Sequence, residues 1–247
     1  MKFNKIKFIP TNEYTEKIEV PPSSASSMIP DWYKKTPLFV NGDKGYNDFV
    51  DVHKDAHISG TMNSVHMTLK NCQPFIDTFT AGYMIKLPAT IMVYKDDIGN
   101  SIVRWSTDYE IIDSQDSIKL GNFKTPDGYN PQFFRWKNAW IVETPSGYSS
   151  LFTHPLNRFD LPFITLSAVI DTDKHPNAVI IPFFIKDDFE GMIEEGTPIA
   201  QVIPFKRENW ESSIEKSNNS ALYSEGLIKT SFIKAYRKKF WSKKIYR

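Results

Sequence analysis

The sequence has very little cysteine and no long apolar run. Its only cysteine, Cys72, excludes an intramolecular disulfide and argues against a cysteine-based zinc site. The longest apolar run, AVIIPFFI at 178–185, is far shorter than the ~20 residues that a membrane-spanning helix needs. The first ten residues, MKFNKIKFIP, alternate lysine with apolar residues and contain no secretory-type apolar segment. These absences predict a cytosolic compartment, whether of a cell or of an infected host.

The chain also lacks a strong net charge, because 30 basic residues nearly balance 29 acidic ones. The distribution of charge is uneven, however. Residues 229–247 hold eight Lys or Arg and no acid, which leaves a body with a formal charge of 22 − 29 = −7. Such a basic tail indicates contact with nucleic acid or another anionic partner, or else a helix with one solvated basic face. The tail cations concerned are Lys234, Arg237, Lys238, Lys239, Lys243 and Lys244.

Short stretches of alternating apolar and polar residues dominate the middle of the chain. The clearest is LPFITLSAVID, whose apolar residues share one face: Ile164, Leu166, Ala168 and Ile170. AVIIPFFI is apolar on both faces, as expected for a strand between two packed layers. Residues 113–138 are polar and turn-rich, and we expect them to be loop. The spacing predicts a mainly β fold, an antiparallel jelly-roll-like barrel.

Helix is predicted at two places. Around 68–81, Thr68 is suited to the N-cap and Gly82 to the C′ position of a short helix. Near the C-terminus an apolar residue recurs at every fourth position, which predicts a helical tail: Ile228, Phe232, Tyr236 and Phe240. We therefore expect N-terminal strands and a proline-rich arm at 1–38, a β-barrel domain at 39–207 with its core at 139–207, and a helical basic tail at 208–247.

The order of motifs in 139–207 resembles the barrel shared by trimeric dUTPases and dCTP deaminases. SGYSSL at 146–151 looks like the phosphate-binding serine motif of that superfamily. AVIDTD at 168–173 looks like the strand end that carries the water-activating aspartate of dUTPases, and EGTPIAQ at 195–201 looks like their glycine turn and phosphate-contacting glutamine. The resemblance implies a magnesium-dependent site in which Asp171 is the base and the phosphate ligands are Ser149, Ser150 and Gln201.

Three positions depart from that pattern. Tyr148 stands where an arginine is expected before the paired serines, and Lys174 stands where dUTPases place the aromatic residue under the deoxyribose. Pro182 falls where deaminases place their glutamate, and proline cannot transfer protons. The C-terminal SFIKAYRKKFWSKKIYR also differs from the glycine-rich tail that closes dUTPase sites. These departures favour a barrel that has kept the scaffold and lost the catalytic site.

A second resemblance covers nearly the whole chain. IPDWYKKTP at 29–37, WIVETPSGYSSLFTHPLNR at 140–158 and GTPIAQVIPFKRE at 196–208 together look like a protein family encoded by marine tailed phages, including cyanophages. The resemblance implies a viral context, in the host cytoplasm or the virion, and a compact barrel. It implies no particular reaction.

Histidines mark two other candidate sites. His53 and Asp55 have the His-x-Asp spacing that begins an iron-binding facial triad, which His154 would complete. In such a jelly-roll oxygenase Arg158 would bind the carboxylate of a co-substrate. Alternatively, the first pair lies in a polar loop that contains histidine by chance, and His154, Asn157 and Arg158 form a hydrogen-bonded polar corner.

Three functions follow from these patterns. The first is a phage-encoded accessory protein, a minor structural or interaction protein on a non-catalytic dUTPase-like barrel, with no cofactor. Its partners would be further copies of the chain, as a trimer, or phage structural proteins. The second is a pyrimidine nucleotide-handling enzyme with magnesium and Asp171 as base. The third is an Fe(II)-dependent oxygenase that uses His53, Asp55 and His154.

Overall fold

The computed structural model describes residues 4–11, 20–41, 65–216 and 235–247. The chain divides into two compact units. The first comprises Met1–Met28, Phe79–Glu211 and Ile245–Arg247, and the second comprises Ile29–Thr78 and Ser212–Lys244. Of the sixteen strands found in the described residues, the first unit contains fourteen and the second contains two.

The strands are short, and each pairs antiparallel with its neighbours. In chain order they are β1 (Lys7–Pro10), β2 (Ser23–Ser24), β3 (Phe39–Asn41), β4 (Val65–Met67), β5 (Tyr83–Lys86), β6 (Ile91–Lys95), β7 (Ser101–Trp105), β8 (Ile112–Gln115), β9 (Phe133–Lys137), β10 (Trp140–Glu143), β11 (Tyr148–Thr153), β12 (Phe163–Thr165), β13 (Ala168–Ile170), β14 (Ile180–Ile185), β15 (Gly191–Ile193) and β16 (Pro198–Lys206).

The first unit contains four sheets. Their strand orders are β13-β11-β16-β5-β2, β12-β14-β9-β8, β15-β6-β7 and β1-β10. In the second unit β3 pairs with β4. The prediction of a mainly β, antiparallel fold with few helices is confirmed. Within the described ranges no sheet closes on itself into a barrel.

Two strand predictions need correction. The alternating stretch at 161–171 is not one strand, because β12 and β13 belong to different sheets and the chain changes sheet between Thr165 and Ala168. Alternation persists through the crossover, so periodicity alone does not reveal it. The segment 113–138 is not all loop either. It contains β9, an interior strand whose sequence FFRWK is rich in residues that favour sheets.

Strand β9 supplies the centre of the hydrophobic core. Trp136 is fully buried and stacks on Phe183 of β14 with ring centroids 3.6 Å apart. Phe163 of β12 meets the same indole edge-on, and the indole N–H donates to the hydroxyl of Thr165 at 3.3 Å. The aromatic residues of β9, β12 and β14 therefore bury a large apolar area with the polar end of the tryptophan satisfied.

The described helices are short. They are α1 (Asp31–Lys35), α2 (Gln73–Thr80) and α3 (Ala235–Lys239). The helix predicted near 68–81 is present in two pieces, because a 3-10 turn at Leu69–Asn71 precedes α2. Pro74 lies in the first turn of α2, where its missing N–H has no intrahelical partner to lose. Within the described ranges no helix is long and apolar enough to span a membrane.

Gly82 immediately precedes β5, at a place where only glycine fits. Its φ is 69°, and an added Cβ would lie 2.0 Å from the carbonyl oxygen of Val202 on β16. Its own carbonyl accepts a hydrogen bond from the N–H of Ala25. The close approach holds β5 between β16 and β2, which positions the strand that carries Gln201.

Candidate functional site

The motifs of 139–207 meet on one edge of the five-stranded sheet. Strand β11 carries Ser149 and Ser150 and lies between β13 and β16. Ser150 pairs with Ile170 and Ser149 with Phe205, so the residues that follow β13 and β16 arrive beside Ser149. The turn that leads into β11 is closed by Tyr148 N–H donating to the carbonyl of Pro145, with Gly147 at a φ of 86°.

Four side chains form a hydrogen-bonded group that we call the Ser149 cluster: Ser149, Asp171, Asp173 and Arg207. The hydroxyl of Ser149 donates to Asp171 Oδ1 at 2.6 Å. Nη1 of Arg207 lies 3.0 Å from Ser149 Oγ, and its two terminal nitrogens donate to Asp173 at 2.8 and 2.5 Å. The structure thus brings the predicted base Asp171 together with the predicted ligand Ser149, and adds a guanidinium.

The Arg207–Asp173 pair dominates the electrostatics of the cluster. The Asp173 side chain is only 4% exposed and also accepts the backbone N–H of Gly147 at 2.8 Å. The hydrogen bonds from Arg207 are the main cause that lowers the pKa of Asp173 to about 2. Asp171 is half exposed and lies 3.3 Å from the same guanidinium. The cluster therefore contains two carboxylates and one cation, a formal charge of 1 − 2 = −1.

Ser150 points to a different environment from Ser149. Its hydroxyl lies 3.0 Å from the hydroxyl of Thr172, which lies 2.7 Å from that of Thr144. All three residues are buried. Of the paired serines, Ser149 contacts the carboxylate predicted as base, and Ser150 joins a chain of buried hydroxyls.

Gln201 lies outside the Ser149 cluster. Gln201 lies on β16 opposite Thr153 of β11. The residue of β16 that pairs with Ser149 is Phe205, four residues or about 13 Å further along the strand. Its side chain is fully buried. Its Oε1 accepts the N–H of Leu156 at 2.8 Å and its Nε2 donates to the carbonyl of Ala81 at 2.6 Å. The structure places this amide as a bridge between two loops.

His154 begins a corner held by main-chain hydrogen bonds. Its Nε2 lies 3.0 Å from the carbonyl of Arg158, and its Nδ1 accepts the N–H of Thr165 at 3.3 Å. Burial lowers the pKa of its imidazole. Asn157 adopts a φ of 60°, which turns the chain, and Arg158 pairs with Asp160 at 2.9 Å.

The iron-site prediction falls largely outside the described residues. His53 and Asp55 both lie in the segment 42–64, which the structure does not describe. Among the residues that it does describe, no group of three or more His, Cys, Asp or Glu side chains could hold a metal ion. For His154, both ring nitrogens face main-chain groups.

The position that deaminases give to their glutamate carries an ion pair on the neighbouring strands. Pro182 of β14 pairs with Arg135 of β9, which in turn pairs with Asp113 of β8. Both oxygens of Asp113 accept guanidinium N–H groups of Arg135, at 2.8 and 2.6 Å. This bond is the first cause that lowers the pKa of Asp113. The carboxylate that this register places two strands away from Pro182 is thus ion-paired.

In the described part of the basic tail, some cations contact other side chains and others are exposed. Lys244 forms an ion pair with Asp77, which also accepts the indole N–H of Trp241. The guanidinium of Arg237 lies over the ring of Trp241, 5.5 Å from its centroid. Lys238, Lys239 and Lys243 are exposed, and Lys234 lies outside the described residues. Contact of this tail with nucleic acid or another anionic partner stays a prediction.

Arg207 and Asp173 are the cluster members that sequence reasoning missed as functional residues. The motif has Tyr148 where an arginine is expected, and the cation comes from another strand. A signal was available in the sequence, because Lys206 ends the strand that pairs with the serine strand and Arg207 follows it directly. The cation at the serine motif therefore comes from the end of β16.

Comparisons with known proteins do not assign the chain to a family. Comparison with protein-family models, with curated proteins and with solved structures found no match. The resemblances to dUTPases and to a marine-phage family therefore stay predictions that depend on the sequence motifs.

Proposed function

We propose that this chain is a non-catalytic scaffold that acts by binding other protein subunits, further copies of itself among them. The protein would act in a viral context, in the host cytoplasm or the virion. Its sheets would be those of a dUTPase-like barrel. One observation carries it: the polar groups of the Ser149 cluster are matched to one another. A site with its charges already paired is suited to hold strands together.

The matched cluster is poorly suited to phosphate chemistry. A triphosphate needs donors that are available to its oxygens, and the forked guanidinium of Arg207 is directed at Asp173. The cluster has a net negative charge, which repels an incoming anion. Gln201, the other predicted phosphate ligand, bridges two backbone groups elsewhere on the sheet.

An exposed face of the three-stranded sheet is a candidate surface for subunit contact. Met92 of β6 pairs directly with Met192 of β15, and their residues are 44% and 62% exposed. Tyr94 lies two residues along β6 and Arg104 lies opposite Met92 on β7, so all four share one face, the Met face. Adjacent exposed methionines form an adaptable apolar surface of the kind found at protein contacts.

Sedimentation velocity of the full chain tests the scaffold proposal. We expect the wild type to sediment as a homo-oligomer, trimeric by analogy with dUTPases, and the Met92→Lys/Met192→Lys variant to sediment as a monomer. The matched control, Ile118→Lys/Phe159→Lys, changes two residues that are 78% and 74% exposed outside the three-stranded sheet, and should stay oligomeric. A wild type that is monomeric at its highest soluble concentration would contradict self-association through this face.

A pyrimidine nucleotide-handling enzyme is the second candidate function. The 2.6 Å bond between Ser149 and Asp171, with a guanidinium beside it, favours this candidate. A thermal-shift titration with dUTP and dCTP in the presence of Mg²⁺ separates the two functions, because a ligand that binds the native state raises the unfolding midpoint. The scaffold function predicts no shift. A shift of several degrees that the Asp171→Asn variant loses would replace the scaffold function by the enzyme.

A further inference from the structure

An open cleft of about 580 Å³ lies in the first unit, where the β6–β7 hairpin faces the end of β8 and the entry to β9. We call it the polar cleft. Its lining comes from residues 96, 100–102, 114–117 and 130–132. The volume falls in the range of small-molecule sites. None of its residues belongs to the motifs that resemble dUTPases.

The lining of the polar cleft, as far as the described residues form it, is rich in hydrogen-bonding groups and contains no lysine or arginine. Nine of the eleven lining residues are polar, as carboxylates, amides or hydroxyls, and only Ile102 and Pro131 are apolar. Amides and hydroxyls both donate and accept hydrogen bonds, whereas the carboxylates accept. Such a lining matches a ligand whose groups also donate and accept.

The carboxylates of the cleft are held in fixed positions. Oδ1 of Asp96 accepts the N–H groups of Ile98 and Asn100 at 3.0 and 2.8 Å, and its Oδ2 accepts the Asn100 side chain at 2.9 Å. The Asn100 amide is the first cause that lowers the pKa of Asp96. Asp116 accepts the N–H of Ile118 at 2.9 Å. These bonds orient both acceptors before any ligand arrives.

Gln132 carries an unmatched acceptor at this cleft. Its Oε1 is buried and has no hydrogen-bond partner among the described residues. Its Nε2 makes only a long 3.5 Å contact with Ser114 Oγ. Because an unpaired buried acceptor is costly, turning this amide toward a ligand hydroxyl would gain a hydrogen bond and lose little.

Two lysines contact lining residues, but neither of them lines the cleft. Lys95 donates to Ser101 Oγ at 2.8 Å, and Lys119 donates to Gln115 Oε1. The cleft itself therefore presents two carboxylates, Asp96 and Asp116, and no cation. This charge disfavours a phosphate or a nucleotide.

We propose that the polar cleft binds a neutral polyhydroxylated ligand, a saccharide, through Asp96, Asp116 and Gln132 as acceptors and through the neighbouring amides and serine hydroxyls. Each sugar hydroxyl donates once and accepts twice, which suits the mixed lining. The open form of the cleft suits one residue of a longer chain. The proposal does not depend on the scaffold function, because it holds for a monomer as well as for an assembly.

Saturation-transfer difference NMR on the full chain tests the proposal. The probes are glucose, galactose, mannose and N-acetylglucosamine, with glucose 6-phosphate as the anionic comparison. We expect at least one neutral sugar to bind with a Kd on the order of 1 mM. We expect the 6-phosphate to bind about tenfold more weakly than glucose, or not at all, because of the two carboxylates.

Three variants locate the binding. Ser114 is exposed, so Ser114→Trp should fill the cleft without disturbing the core and abolish the signal. Gln132→Met should weaken binding about tenfold by removing the acceptor. Ser212→Trp adds the same side chain at an exposed position outside the cleft and should bind as the wild type does.

Several outcomes would overturn the proposal. They are no saturation transfer to any neutral sugar at about 50 mM, a signal that survives in both Ser114→Trp and Gln132→Met, and tighter binding of glucose 6-phosphate than of glucose.

Discussion

The region around Ser149 and the polar cleft are both rich in polar side chains, but they satisfy those side chains in opposite ways. Around β11 and β16 each polar group meets a partner from the same chain: Ser149 meets Asp171, Arg207 meets Asp173, and Gln201 meets two backbone groups. In the cleft, carboxylates have no opposing cation in the lining and Gln132 leaves an acceptor unpaired.

The difference shows why a motif can mislead about the location of a binding site. The region that resembles a nucleotide site uses its polar groups to hold β11, β13 and β16 together. The cleft carries no recognisable motif. Its two carboxylates are held by neutral donors and can accept further hydrogen bonds, and the Oε1 of Gln132 has no partner among the described residues. Two glutamines summarise the contrast, because Gln201 has both ends of its amide bonded and Gln132 has one long contact.

The largest effect is expected for Gln201→Leu. The substitution keeps the size of a fully buried side chain and leaves the N–H of Leu156 and the carbonyl of Ala81 without their present partner. Two unsatisfied backbone groups predict a loss of about 3 kcal/mol in the free energy of unfolding. Urea denaturation followed by circular dichroism measures it.

The matched control is Gln115→Leu in the cleft. Its side chain bonds to Lys119 at the surface, and the variant should change the free energy of unfolding by less than about 0.5 kcal/mol. Equal destabilisation by the two variants would remove the distinction between the two regions.

Much of the fold could be predicted from local pattern. The alternation in β16, the two-sided apolar run of β14 and the short helix after Thr68 all occur close to where the sequence places them. Sheet membership could not be predicted in the same way. The change of sheet between β12 and β13 depends on which strands lie alongside them, and that is a long-range property.

The candidate site was predictable only in part, for a similar reason. Ser149 and Asp171 come together because β11 and β13 pair with Ser150 opposite Ile170, which brings the adjoining residue of each motif side by side. Arg207 reaches them from just beyond the end of β16, 58 residues after Ser149. No local spacing in the sequence predicts a contact over that separation. The cleft draws on three separate segments of the chain, which combine turns with the ends of β7 and β8 and share no periodicity that would predict the site.

A smaller effect, visible in its dependence on pH, is expected for Arg207→Gln. In the wild type Arg207 is the main cause that lowers the pKa of Asp173 to about 2, well below the ≈ 3.9 of an unfolded chain. A lowered carboxyl pKa contributes stability that is complete above the unfolded pKa and is lost as the pH falls through the folded one. The difference in melting temperature between wild type and variant should therefore be several degrees at pH 6 and shrink between about pH 4 and pH 2.

The control for this comparison is Lys206→Gln, which removes the same charge one residue earlier. Lys206 is exposed and pairs with Glu208 at the surface, so its loss should change the melting temperature little at any pH. Calorimetric melting curves of the three proteins between pH 2 and pH 6 provide the measurement. A difference between wild type and Arg207→Gln that is the same at both ends of the range would show that the Asp173 pair is not what stabilises the cluster.

The smallest loss of stability is expected for Gln132→Met, which tests the difference between the polar cleft and the region around Ser149 most directly. Methionine fills nearly the same volume, and the amide that it replaces has an unpaired Oε1 and a single 3.5 Å contact. Removing a buried unsatisfied acceptor relieves its desolvation cost, so the free energy of unfolding should be no lower than in the wild type and at most about 1 kcal/mol higher. The same urea titration compares it with Gln201→Leu. Because the variant should also bind saccharide about tenfold more weakly, undiminished stability would assign Gln132 to recognition. A loss of stability as large as that of Gln201→Leu would show that the cleft is as fully matched as the serine strand.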